Sequence, residues 1–232
     1  MRTLALLPDR DTHGGDWHGA FRPEAERFAK LHGGALVQID VSQDPAGRRA
    51  QVRDAILSQG DAGPIDCYAF FCHGWQDGIQ LGYHRAEASD LAALIATTAA
   101  DNAVVVLYAC STSDSSAEGE PGEGGTCGSR TCGGFAEALH EGLRWCVSTG
   151  GAAASGITVY AHDRSGHCTS NPYVRRLRGD VSAYRWVVEP KSPQWGPWER
   201  EMRDRQGSSL RLRFPLMSEQ EIAAELRRGY VS

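Results

Sequence analysis

Residues 67–74 read Cys-Tyr-Ala-Phe-Phe-Cys-His-Gly, and residues 103–113 read Ala-Val-Val-Val-Leu-Tyr-Ala-Cys-Ser-Thr-Ser. Short apolar runs rich in β-branched and aromatic residues are typical of strands buried on both faces of a parallel sheet. The segment between them, about residues 86–100, is rich in Ala and Leu and is predicted to be a helix. The three segments form a crossover, in which the two strands run parallel and are expected to be neighbours.

Each predicted strand ends at a reactive side chain, His73 in one and Cys110 in the other. The carboxyl ends of parallel strands lie at one edge of a sheet, where open α/β folds have their functional sites. A cysteine with a pKa of ~8.5 is only slightly ionised at neutral pH, so a nucleophilic thiol needs a base or a cation beside it. The pattern therefore predicts that His73 accepts the proton of Cys110.

These motifs resemble those of the caspase-like cysteine peptidases, a clan that includes caspases, metacaspases, clostripain, gingipain, separase, legumain and bacterial CHAT domains. The resemblance rests on His73-Gly74 after one strand and on Ala-Cys-Ser at 109–111 after the next. The order of elements extends it over about residues 1–165. It implies a three-layer α/β/α sandwich with a mostly parallel central sheet, and a cysteine endopeptidase with His73 and Cys110 as its catalytic residues.

The resemblance also implies that the backbone amides of Gly74 and Cys110 stabilise the oxyanion, a kind of contact worth ~3 kcal/mol in other enzymes. Two other classes of function stay open. One is a caspase-like domain without activity that serves as a scaffold or sensor. The other is a different Cys–His acyl-transfer enzyme, such as an amidase. An intact His73 and Cys110 pair favours catalysis over the scaffold.

Length and composition fit one such domain over residues 1–232, with the C-terminal strands, a Trp-containing loop and a last helix in 166–232. The net charge of −5 argues against a general nucleic-acid or membrane-surface binder. The apolar start is too short for a signal peptide, and seven cysteines do not suggest a disulfide framework. We expect a cytoplasmic protein, of bacterial type by its excess of Arg over Lys. Its expected partner is a protein or peptide substrate, with no nucleic acid, membrane or cofactor, and an activating partner or homo-oligomer is left open.

The other elements alternate as in a doubly wound sheet. Strands are predicted at about 2–8, 35–41, 157–161, 183–189 and 210–214. Helices are predicted at about 22–31, 46–58 and 133–146, and a last helix follows the Ser-x-x-Glu capping box of Ser218 and Glu221.

Two carboxylates are candidates for substrate binding, Asp114 just past the nucleophile and Asp163 just past the fifth strand. Many non-caspase members of the clan cleave after Arg or Lys, because an acidic residue in the first pocket pairs with the basic side chain. A shielded carboxylate would make a charge-assisted contact with Arg. Arg164 is the alternative, since it neutralises Asp163 or selects an acidic residue itself. The prediction is cleavage after a basic residue.

The remaining cysteines and the tryptophans are assigned structural roles. Cys67 and Cys72 are predicted to be inert core thiols. The spacing of the other Cys and His residues does not match a zinc knuckle, so no metal site is predicted; those residues are Cys127, Cys132, His162, His167 and Cys168. Trp186, Trp195 and Trp198 are expected to pack under a Pro-rich loop. The Gly- and Glu-rich segment 111–131 is interpreted as a mobile surface loop, with proteolytic processing as the alternative.

Overall fold

The protein alternates strands and helices along the chain. The structure is a computed structural model that describes residues 1–10, 18–113, 133–148, 156–166, 168–180, 184–204 and 210–228. Its elements are β1 (Thr3–Pro8), α1 (His18–His32), β2 (Ala35–Ile39), α2 (Pro45–Asp61), β3 (Ile65–Phe71), β4 (Gly74–Trp75), β5 (Gly78–Ile79), β6 (Tyr83–His84), α3 (Ala88–Thr98), β7 (Ala99–Tyr108), α4 (Phe135–Ser148), β8 (Thr158–His162), β9 (Val174–Leu177), β10 (Arg185–Trp186), α5 (Trp195–Arg203), α6 (Leu210–Arg213) and α7 (Glu219–Arg228).

A seven-stranded sheet in the order β10-β9-β8-β7-β3-β1-β2 forms the centre of the fold. Five of the seven strands run parallel to one another: β2, β1, β3, β7 and β8. Strand β9 runs antiparallel to β8, and β10 runs antiparallel to β9. The order of the strands places β3 and β7 side by side at the middle of the sheet, as the crossover predicted.

Helices cover both faces of this sheet. Successive residues of a strand face opposite sides of the sheet. Tyr68 and Phe70 therefore pack into one core, and Ala69 and Phe71 pack into the other. The first core includes buried side chains from α2, α3 and α4, and the second includes buried side chains from α1, α5, α6 and α7. The predicted three-layer α/β/α sandwich with a mostly parallel sheet is confirmed.

Local sequence signals explain two of the helix starts. The carboxylate of Asp44 accepts the backbone N–H of Gly47, and Pro45 occupies the first turn of α2, where a missing N–H costs nothing. The predicted capping box of α7 is confirmed, because Ser218 N donates to Glu221 (2.7 Å) and Glu221 N donates to Ser218 Oγ (3.2 Å).

The prediction of a strand at 210–214 is wrong, because Leu210–Arg213 is a helix and Phe214–Leu216 a 3₁₀ turn. The alternation of Leu and Arg suggested a half-exposed edge strand. In the structure Arg211 is also buried, and its guanidinium is 3.0 Å from Glu24 of α1. From the sequence alone Arg211 looks like an exposed polar residue. The apparent alternation of buried and exposed positions is therefore not real.

Other differences concern short or unexpected elements. Of the strand predicted at 183–189, only Arg185–Trp186 is a described strand. The strand β9, the helix α5 and the small antiparallel sheet of β4, β5 and β6 were not predicted. A strand of two residues is too short to show the alternation of apolar and polar residues by which strands are predicted.

The predicted structural roles of Cys67, Cys72 and Trp198 are confirmed. All three side chains are fully buried. The indole N–H of Trp198 donates to the carbonyl oxygen of Pro172 at 2.8 Å, which satisfies its only polar group. No helix in the described part of the chain is long and apolar enough to cross a bilayer.

Candidate active site

His73 and Cys110 follow neighbouring strands that end in register. Phe71 of β3 pairs with Tyr108 of β7, and each candidate residue comes two positions later. Both Phe71 and Tyr108 face the core beneath α1, and alternation gives residues two positions apart the same direction. The ring of Phe21 of α1 meets the His73 ring edge-on, with 5.0 Å between centroids. The two residues thus lie at one edge of the sheet, and the contact with Phe21 places the His73 ring on the face that α1 covers.

The backbone of His73 is held on both sides by Gln80. The His73 N–H donates to Gln80 Oε1 (3.2 Å), and the Gln80 N–H donates to the His73 carbonyl (2.9 Å). Gln80 is buried, and its own carbonyl accepts from Arg48 at 2.9 Å. These bonds tie the start of the small sheet to α2 and restrict the position of His73.

Gly74 brings the segment of His73 into direct contact with the segment of Cys110. A Cβ atom at Gly74 would lie 2.7 Å from the Cβ of Ala109 and 2.8 Å from both the carbonyl oxygen of Cys110 and Cγ2 of Thr112. Real Cβ atoms do not approach other atoms so closely. Only glycine fits here without a shift of the turn that follows β7.

The turn after Cys110 has a constrained backbone. Ser111 has a φ of 51°, in the left-handed region that is unfavourable for residues with a Cβ. Thr112 and Ser113 are fully buried. The hydroxyl of Thr112 donates to the Ala109 carbonyl (3.3 Å), and the Ser113 N–H donates to the carbonyl of His162 on β8 (3.1 Å). The surroundings therefore hold a conformation that the turn would not adopt by itself.

The loop after β8 lies against the candidate thiol. Cys110 is partly exposed, and its Sγ donates to the carbonyl oxygen of Gly166 at 3.2 Å. The hydroxyls of Ser111 and Ser165 are 3.3 Å apart. Ser165 and Gly166 thus lie beside Cys110 and the residue that follows it.

The first turn of α4 joins the histidine and cysteine segments. Its free N–H groups find partners outside the helix: Phe135 N donates to the Gln76 carbonyl (2.8 Å), and Ala136 N donates to the Thr112 carbonyl (2.9 Å). The Arg85 guanidinium donates to the carbonyl of Gly133, just before the helix, at 2.8 Å. The sequence predicted this helix but not its role at the site.

Asp163 lies at the carboxyl end of β8 as predicted, and it pairs with Arg175 of β9. The two side chains are 3.8 Å apart, and the Asp163 side chain is only 11% exposed. Arg164 instead lies 4.4 Å over the ring of Tyr173. Since β9 was not predicted, sequence reasoning missed Arg175. The other substrate-binding candidate, Asp114, lies outside the described residues.

Two further histidines near this part of the fold are buried. Burial lowers the pKa of His162 to about 3, and its Nδ1 has no hydrogen-bond partner among the described residues. Burial also lowers the pKa of His140 to about 4, and its Nδ1 is 2.6 Å from the Tyr184 hydroxyl. Both imidazoles are neutral near pH 7. His73 is only partly buried, which makes it the better candidate for a base that must reach a substrate.

Burial also distinguishes Cys67 and Cys72 from the partly exposed Cys110. Burial raises the pKa of Cys72 to about 12 and that of Cys67 further, so neither forms a thiolate near neutral pH. Among the described residues, no group of three or more His, Cys, Asp or Glu side chains is arranged to hold a metal ion. Cys127, Cys132 and His167 lie outside the described residues.

No protein family, no curated protein and no solved structure matches this chain. The residues of the site are therefore the basis of any function assigned to it.

Proposed function

We propose that this protein is a cysteine endopeptidase of the caspase-like type, with Cys110 as nucleophile and His73 as general base. One observation carries the proposal. The neighbouring parallel strands β3 and β7 end in register, and each is followed two residues later by one member of the pair. Neighbouring strands are ~4.8 Å apart, a spacing that lets an imidazole and a thiol approach each other at a bound carbonyl.

The chemistry needs only these two side chains and water. His73 takes the proton of Cys110, and the sulfur attacks the carbonyl carbon of the scissile peptide bond. The tetrahedral intermediate expels the amine, which receives its proton from His73, and a thioester to Cys110 remains. Water then attacks the thioester with His73 as base, and Cys110 leaves as the thiol with that proton. No cofactor takes part.

The negative oxygen of the tetrahedral intermediate needs donors close to Cys110. The backbone amides of Gly74 and Cys110 are proposed for this role, as the clan resemblance implies. The close packing of Gly74 on the Cys110 backbone supports the assignment, since it brings the two peptide segments together. Fixed donors of this kind are worth ~3 kcal/mol in a site shielded from water.

The proposed substrate is a protein or peptide, and the proposed location is the cytoplasm. The net charge of −5 argues against a general nucleic-acid binder. Cleavage after a basic residue stays the proposed specificity, with Asp163 and Asp114 as the substrate-binding carboxylates. A substrate guanidinium would share Asp163 with Arg175, whose side chain is 17% exposed.

A fluorogenic peptide library tests activity and specificity together. We expect wild-type protein to cleave after Arg or Lys about tenfold faster than after other residues, the size of one charge-assisted contact. Asp163→Asn should remove most of this preference, because an amide cannot pair with a cation. Asp54→Asn, on the exposed side of α2, is the matched control and should not change the profile.

The outcomes separate the alternatives. Cleavage after Asp or small apolar residues would contradict the specificity while leaving the Cys110 and His73 assignment in place. Turnover of small free amides without turnover of peptides would indicate an amidase instead. A wild-type protein that hydrolyses neither class, and whose Cys110 reacts no faster than an ordinary thiol, would be a scaffold.

A further inference from the structure

Glu137, in the first turn of α4, has a buried carboxylate beside the candidate active site. Its Oε1 accepts a hydrogen bond from the Ser113 hydroxyl at 2.5 Å, and its Oε2 accepts from the N–H of Gly134 at 2.8 Å. The guanidinium of Arg175 is 3.7 Å from Oε1. A buried carboxylate is costly unless it is paired and hydrogen-bonded, and these three contacts meet that need.

The bond to Ser113 connects Glu137 to the nucleophile. Ser113 is the third residue after Cys110 and lies two residues past the left-handed Ser111. Such a backbone conformation costs about 1–3 kcal/mol and persists only where its surroundings hold it. The Ser113 side chain is fully buried, so no water replaces Glu137 as its partner without a rearrangement. The contact therefore helps to hold the turn that follows Cys110.

The bond to Gly134 connects the same carboxylate to the start of α4. At that helix start the Ala136 N–H also donates to the Thr112 carbonyl, and the Phe135 N–H donates to the Gln76 carbonyl. Glu137 therefore closes a ring of contacts that joins the turn after Cys110, the helix start and the segment after His73. One side chain is placed to fix the relative position of the two proposed catalytic groups.

We propose that Glu137 is a positioning residue for the Cys110 nucleophile, acting through the Ser113 hydroxyl. The inference rests on the proposed function and deepens it. Glu137 exchanges no proton with the substrate and touches no reacting atom. It sets the angle and distance at which the thiol meets His73, and small displacements of such groups cost large factors in rate.

Glu137→Ala is the main test, with Glu137→Gln as the rescuing variant. We expect Glu137→Ala to lower kcat at least tenfold with KM changed less than twofold, and to slow alkylation of Cys110 by iodoacetamide by a similar factor. Glutamine keeps both hydrogen bonds, because its amide NH₂ can donate to the Ser113 oxygen while its carbonyl accepts from Gly134, and it loses only the charge pairing with Arg175. It should recover most of the rate. Glu141→Ala, one turn later and exposed, is the matched control and should behave as wild type.

Ser113→Ala provides a second route if Glu137→Ala fails to fold. It should reproduce the loss in kcat and in Cys110 alkylation, and the double variant should be no slower than Glu137→Ala, since both changes break the same bond. Wild-type kcat and alkylation in folded Glu137→Ala or Ser113→Ala would overturn the proposal, as would additive losses in the double variant. The alkylation rate needs no substrate. A wild-type Cys110 no faster than Cys146 would instead indicate failure of the proposed function.

Discussion

Replacing Cys110 with alanine is expected to lower kcat by a factor on the order of 10⁴ while the protein stays folded. In the proposed mechanism alanine removes the sulfur that forms the thioester, and the backbone donors cannot replace it. His73→Ala should cause a loss of similar size, because residues that act as a unit do not give additive effects. Both are measured as single-turnover or steady-state hydrolysis of the best peptide found in the library.

The matched control is Cys146→Ala, which alters another partly exposed cysteine, on α4. It should keep wild-type kcat. Circular dichroism and thermal unfolding should show that Cys110→Ala and His73→Ala are folded, since both side chains are partly exposed at the end of a strand rather than inside the core. Activity retained in either variant would exclude that residue from the chemistry.

Gly74→Ala is expected to have the second largest effect, about 100-fold in kcat together with ~1–3 kcal/mol lost in the free energy of unfolding. The added Cβ would lie 2.7–2.8 Å from atoms of Ala109, Cys110 and Thr112. Two of these atoms, the Cβ of Ala109 and the carbonyl oxygen of Cys110, cannot move away by a side-chain rotation. The turn carrying the nucleophile must therefore shift from His73.

Gly196→Ala is the control for this substitution. Gly196 lies in α5, and a Cβ there would meet nothing within 4 Å, so the change should be neutral or slightly stabilising through helix propensity. Wild-type activity and unfolding temperature in Gly74→Ala would show that the two segments are not packed as described.

The sheet was predictable because its signals are long and redundant. The apolar runs of β3 and β7 are buried on both faces, and the crossover rule requires the parallel orientation that pairs Phe71 with Tyr108. The positions of His73 and Cys110 at one edge follow from these two facts alone. A strand with one exposed face or only two residues, such as β10, gives no comparable signal.

The supporting residues of the site were not predictable from local sequence. Glu137 looks like an ordinary helix residue, and Gln80 like an ordinary loop residue, until the fold places them against Ser113 and His73. Arg175 was missed because β9 was missed, and with it the partner of Asp163. Contacts between residues distant in the chain depend on packing, which periodicity does not report.

The most direct test of the central claim is the rate of cysteine alkylation, resolved by site. Wild-type protein is treated with iodoacetamide near pH 7, and labelling of each cysteine is followed over time by peptide mass spectrometry. Cys110 is predicted to react faster than the buried Cys67 and Cys72 and faster than the partly exposed Cys146. The advantage over Cys146 should shrink in His73→Ala, because the base that forms the thiolate is gone. Equal rates at Cys110 and Cys146, or a Cys110 rate unchanged in His73→Ala, would contradict an activated Cys110–His73 pair.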